Sequence, residues 1–206
     1  RYPIKMEVET SRMVEGTEEQ EKPEYETVTE VKTLNSMVPL WQRNKKDVTE
    51  QEYESFYHEK FFDFEKPLSV LHISVEGAVT YKALLYIPAK APYNYYSSEY
   101  KRGLQLYSSG VMIMENCEDL LPEHFGFVRG VVDSQDLSLN ISREMLQHNR
   151  QLAIISSSLE KKIKAELERL RDQDREQYEK FYAAFGMQMK YSLVKDFGAQ
   201  KQTLQD

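Results

Sequence analysis

Apolar and polar side chains alternate along YPIKMEVE at residues 2–9 and along YETVTEVKTL at residues 25–34, and this period of two predicts a pair of β-strands. Between and beside them, residues 13–30 carry seven carboxylates against one lysine, with a Gly and a Pro, the composition of a solvated loop. The product is a long hairpin with an acidic tip. Polar residues recur on both arms, so only one of its faces is expected to be covered.

A linker around VPLWQRNKKD (residues 38–47) leads to Thr49-Glu50-Gln51-Glu52, the spacing of a capping box, in which a threonine oxygen and a glutamate satisfy the free donors of a helix start. Tyr53, Phe56, Tyr57 and Phe61 continue at helical intervals, so a helix is expected over residues 49–61. LSVLHISVEGAVTYKALLYIP then holds two extended runs separated by Glu76-Gly77, a hairpin with a turn-competent glycine. LQLYSSGVMIME adds strand signal, and LPEHFGFVRGVVD predicts a short helix running into a strand. Such interleaving predicts an α/β (α+β) domain with a mixed sheet covered by helices.

From Ser142 onward the period lengthens. Leu152, Ile155, Leu159, Ile163, Leu167 and Leu170 recur at steps of three and four, the stripe of a long amphipathic helix. Tyr178, Phe181, Tyr182 and Phe185 mark a second helix, expected to begin near Asp174 and to end at Gly186, where the missing Cβ permits a left-handed cap. A boundary is expected near Asp172, giving residues 1–172 as a large unit and 173–206 as a helical coil.

The length of 206 residues suits one large domain with an appendage, and the 40% hydrophobic and 12% aromatic content supplies a core despite a mean hydropathy of −0.66. The formal charge is −7, and basic clusters with interleaved aromatics are lacking, which argues against nucleic acid as a partner. A run of about 18 apolar residues is also lacking, so no span of a membrane is expected. A single cysteine, Cys117, excludes an internal disulfide framework and a multi-cysteine zinc site, and fits a reducing compartment. The chain opens on Arg1 without a signal-peptide pattern and is expected to be a piece of a longer protein.

Phosphate loops of the GxxxxGK[ST] type, GxGxxG, HExxH and GxSxG are missing, and His58, His72, His124 and His148 lack metal-ligand spacing, so no metal is assigned. Glu118 and Asp119 directly follow Cys117 and would raise a thiol pKa, which disfavours a nucleophile. Two regions remain. In DSQDLSLNISREMLQHNR a strand exit meets a helix start, where free backbone donors favour an anion. Arg143 and Gln147 lie four apart on one helical face and can offer a guanidinium fork and an amide to one phosphate; the alternative is a surface cap with Arg143 paired to Asp133 or Asp136. In WQRNKKD, Trp41 has an apolar front and a basic back suited to contact with another protein; the alternative is that it folds back onto the core.

PLWQRNKKDVTEQEYESFY, SVEGAVTYKALLYIPAKAP and FVRGVVDSQDLSLNISREMLQ together resemble the middle domain of the heat-shock protein 90 chaperone family, of the bacterial high-temperature protein G type. The likeness runs from residue 2 almost to the end of the chain. It implies an αβα sandwich followed by a short helical coil, with a further small αβα unit absent. It also implies that ATP, with magnesium, binds an N-terminal ATPase domain outside this chain, that Arg143 reaches the γ-phosphate, and that Gln147 helps to position the catalytic loop. Trp41 of the PLW motif is linked by the resemblance to client handling, and Met112 stands where an exposed phenylalanine is common. The implied partners are that ATPase domain, unfolded or partly folded clients and cochaperones, in a cytoplasmic homodimer. This chain alone is expected to hold no cofactor and to be inactive. Ser109, Gly110 and Ser138 depart from the family pattern. The rival reading is a non-catalytic adaptor that offers the acidic hairpin and the two C-terminal helices as a scaffold.

Overall fold

The computed structural model describes residues 5–13, 25–33, 38–97, 99–137 and 150–195. The chain divides into two compact units, residues 1–39 and 40–206. In the first, β1 (Lys5–Met13) and β2 (Tyr25–Thr33) pair antiparallel without a slip, from Lys5 opposite Thr33 to Met13 opposite Tyr25. Met6 and Val31 are both exposed. The acidic tip lies outside the described residues.

The second unit is built on a five-stranded sheet of β3 (Ser69–Val75), β4 (Tyr81–Ile87), β5 (Leu104–Ser108), β6 (Val111–Cys117) and β7 (Arg129–Ser134), in the order β3-β4-β7-β5-β6. The β5–β7 pair is parallel and the others are antiparallel, so the sheet is mixed as expected. Central β4 is buried on both faces: Tyr81, Ala83, Leu85 and Ile87 enter one core, Leu84 and Tyr86 the other. That alternation is the signature of a sheet with helices on each side. At Gly130, on neighbouring β7, a Cβ would stand 2.4 Å from the Leu84 carbonyl oxygen, so this pairing admits only glycine.

Helix α1 (Glu50–Phe61) covers the second face, and both arms of its capping box form: Glu52 N–H donates to the Thr49 hydroxyl and Thr49 N–H to the Glu52 carboxylate. The Thr49 backbone N–H, the Arg43 guanidinium and the Thr49 hydroxyl together hold the Glu52 carboxyl down at about 2. A carboxyl depressed on folding contributes stability above its unfolded value; this contribution is expected to be lost as pH falls from 4.5 towards 2. Thr49→Ala removes the side-chain arm and should cost about 1 kcal/mol in urea unfolding at neutral pH.

The first face is covered by α2 (Arg150–Gln173) and α3 (Arg175–Lys195). All six apolar positions of the stripe on α2 are buried, and α3 adds Phe181 and Phe185 to the same core. The two helices meet at Asp174, whose carboxylate accepts the Gln177 N–H at 3.3 Å. Gly186 is not the end of this second helix. It is buried inside α3, which continues to Lys195. A Cβ there would stand 3.2 Å from the Tyr182 ring, and partly buried Met189 extends the apolar face, so packing overrides the roughly 1 kcal/mol helical cost of a glycine.

Candidate functional site

Trp41 sits in a 3-10 turn at Leu40–Gln42, and it is 6% exposed. Of the two readings that the sequence leaves open, the structure shows the tryptophan folded back onto the core. Its ring packs 4.9 Å from Tyr107 and 6.0 Å from Phe56, centroid to centroid, and its indole Nε1 donates to Asp133 Oδ2 at 3.0 Å. The acceptor explains the burial, since a large apolar ring gains from leaving water once its one polar group is satisfied. Gln42 Nε2 donates to the same oxygen at 2.7 Å, and Lys82 Nζ donates to the Gln42 carbonyl at 2.8 Å.

Nearby, Tyr53 and His72 Nδ1 lie 2.6 Å apart, joining α1 to β3. Burial, with Lys45 and Lys82 near, pushes the His72 imidazole below its ordinary value. Cys117 and His124 are buried, and His72 is half-buried. Among the described residues no group of three or more His, Cys, Asp or Glu could hold a metal ion, and no helix is long and apolar enough to cross a membrane.

Met112 is 45% exposed beside Val111 at 55%, at the start of β6. They follow the turn Ser109-Gly110, where φ is +50° and +76°, the positive pair that a two-residue hairpin turn requires. The departures of Ser109 and Gly110 are therefore turn chemistry. Gly110 N–H also donates to Asp133 Oδ1 at 3.1 Å.

Two residues that sequence reasoning missed are more exposed still. Phe62 and Phe64 show 83% and 89% of their surface, just beyond α1. Phe62 ends that helix with φ +53°, and the loop after it is pinned by Asp63, which accepts from the Tyr57 hydroxyl at 2.5 Å and from Glu65 N–H at 3.0 Å. Burial and the Asp63 carboxylate push the Tyr57 hydroxyl far above its ordinary value, so it stays a donor. The signal was available in FFDF, an aromatic run past a helix end.

Arg143 and Gln147 lie outside the described residues. Asp133 and Asp136, weighed above as structural partners for Arg143, are engaged by other donors: Trp41, Gln42 and Gly110 on Asp133, and Thr80 N–H on Asp136 Oδ2 at 2.6 Å.

A family model described as Hsp90 protein matches residues 4–206. The chain is 57% identical over 206 residues to the chaperone protein HtpG of Alkaliphilus metalliredigens and 55% to that of Bacillus subtilis, covering 100% of itself and 32% of each relative. It thus spans about a third of the length of these relatives. Among solved structures, the middle domain of a Plasmodium falciparum heat shock protein is similar with a TM-score of 0.66 and 28% identity, over 81% of this chain and 63% of that one.

Proposed function

We propose, from the premise that this chain belongs to the Hsp90 family, that it is the middle segment of an ATP-dependent chaperone of the HtpG type that assists protein folding in the cytoplasm. The observation that carries this reading is the family match across residues 4–206, which takes in the SREMLQ stretch at residues 142–147. In this reading ATP and its magnesium ion are held by an N-terminal domain of the longer protein. Arg143 brings a guanidinium to the γ-phosphate when the domains close, and Gln147 helps to position the catalytic loop. A fixed cation placed where charge develops stabilises the transition state more than the bound nucleotide. Dimerisation and cochaperone binding complete the cycle.

The client surface is assigned to the exposed apolar side chains of the second unit: Met112 with Val111, and Phe62 with Phe64. Methionine adapts its shape to varied partners, and aromatic rings are large anchors with few rotatable bonds. Trp41, being buried, serves that work indirectly by anchoring residues 40–42.

Two measurements test this reading. The chain alone is expected to turn over no ATP, whereas joining it to the N-terminal domain of an HtpG relative should raise that domain's turnover; no rise would overturn the reading. Met112→Ser and Phe64→Ser should each weaken binding of an unfolded model client severalfold, while stability shifts by no more than about 0.5 kcal/mol, as for other surface changes. Unchanged client affinity in both variants would move the client surface elsewhere.

A further inference from the structure

A cleft of about 550 Å³ opens in the second unit between the tyrosine-rich loop ahead of β5, the 3-10 turns Glu118–Leu120 and Glu123–Phe125 that follow β6, and the later turns of α3. That volume falls within the roughly 300–1,000 Å³ of ligand clefts. The floor is built by packing. Tyr95 is buried, its ring meeting Tyr100 at 4.7 Å and Phe185 at 5.5 Å, centroid to centroid, and the Tyr100 hydroxyl donates to the Gly126 carbonyl at 3.0 Å. Burial raises both hydroxyls above their ordinary value, so the floor stays neutral. The rim is open: Tyr96, Tyr191 and Met187, one helical turn before Tyr191, are all exposed. The lining holds one guanidinium, Arg102, against two carboxylates, Glu118 and Glu123. Arg102 reaches both carboxylates only at 3.4 Å, long for a charge-assisted bond, and a net negative charge remains. Nearby, the fold already sets cations over tyrosine rings: Arg129 lies 4.9 Å from the Tyr100 centroid, and Lys190 5.1 Å from that of Tyr182. Among the described residues no cation covers Tyr96 or Tyr191.

We propose that this cleft binds a basic segment of an unfolded polypeptide, the cationic head of a lysine or arginine being held by the Tyr96 and Tyr191 rings and by Glu118 and Glu123, and an adjoining apolar side chain by Met187. A tyrosine face attracts a cation, the carboxylates add charge of the matching sign, and the methylenes of a lysine or arginine cover apolar surface while the head keeps its polar partners. Methionine adapts to whatever side chain stands next in the segment. An anionic ligand does not fit, because to reach Arg102 it must approach both carboxylates that pair with that side chain. None of the lining residues belongs to the client surface assigned above, so the cleft is a second and chemically different site. The proposal rests on the chaperone reading only in taking the occupant to be an unfolded client.

The test is the affinity of the full chain, by fluorescence anisotropy at fixed ionic strength, for an unstructured peptide of Lys-Leu pairs spaced by Gly-Ser, and for the same peptide with its lysines acetylated. The lysine peptide is expected to bind and the acetylated one to bind about tenfold more weakly, since acetylation removes the charge. Tyr96→Ala and Tyr191→Ala, which alter no charge, should each weaken binding of the lysine peptide about threefold. Glu118→Gln combined with Glu123→Gln should weaken it about fivefold. Glu176→Gln combined with Glu179→Gln removes the same charge from exposed positions of α3 outside the cleft and should change affinity less than about twofold. If Tyr96→Ala does not fold, Tyr191→Ala decides. The proposal is overturned if the lysine peptide does not bind, if the folded tyrosine variants bind it as the unaltered chain does, or if the control pair weakens binding as much as the cleft pair, the mark of a general attraction to an acidic chain. This measurement uses no ATP. A chain that binds the peptide as expected yet fails to raise turnover of an HtpG N-terminal domain overturns the chaperone reading and leaves the cleft standing, and the reverse result removes the cleft alone.

Discussion

Trp41→Ala is expected to destabilise the second unit by about 3–5 kcal/mol, the range for emptying a large aromatic site in a core. The indole fills the space between Tyr107 and Phe56, and it gives Asp133 one of its three donors among the described residues. Truncation therefore opens a cavity and leaves a buried carboxylate short of a partner. Trp41→Phe keeps most of the packing and loses the hydrogen bond, for which about 1–3 kcal/mol is expected. Because Trp41 is the only tryptophan, urea unfolding must be followed by far-ultraviolet circular dichroism and not by its fluorescence. A midpoint unchanged in Trp41→Ala would contradict the buried, bonded indole.

Why this tryptophan was open to two readings in the sequence, while its neighbours were not, follows from the range of the interactions involved. The capping box at Thr49 and Glu52 is local, so four residues of sequence contain all the chemistry that starts α1. The stripe from Leu152 to Leu170 is also self-contained, since a helix with that period has one face to bury. Trp41 finds its acceptor 92 residues away, on a strand whose place in the sheet is set by topology. An amphipathic loop has no local mark of which of its sides will be covered. Gly186 failed for a similar reason: a glycine at a helix end and a glycine in a packed helix interior look alike until the neighbouring ring of Tyr182 and the continuing apolar face decide. Phe62 and Phe64 were passed over because their exposure depends on the left-handed turn at Phe62, which no glycine announces. The mixed sheet and its two cores were legible in outline, but β4 as the strand that feeds both faces emerged only with the register. At the candidate site the motif around Arg143 was legible as a family resemblance, whereas the bonds that tie Asp133 to residues 40–42 and 110 were not.

The largest effect on activity is expected at Arg143. In the full-length chaperone, Arg143→Ala should lower kcat for ATP hydrolysis on the order of 10²-fold, the scale of losing one preorganised group aimed at developing charge. Nucleotide affinity should stay nearly unchanged if, as proposed, the arginine meets the phosphate only when the domains close. Arg143→Lys should rescue poorly, since an ammonium keeps the charge and loses the two-pronged fork, and Gln147→Ala should give a smaller fall in the same direction. The most direct test of the chain's role is therefore single-turnover hydrolysis of bound ATP in that full-length protein, wild type against Arg143→Ala, with binding measured in parallel. The account predicts slow hydrolysis at equal affinity and an intact fold; unaltered hydrolysis, or unfolding of this chain by the substitution, would contradict it.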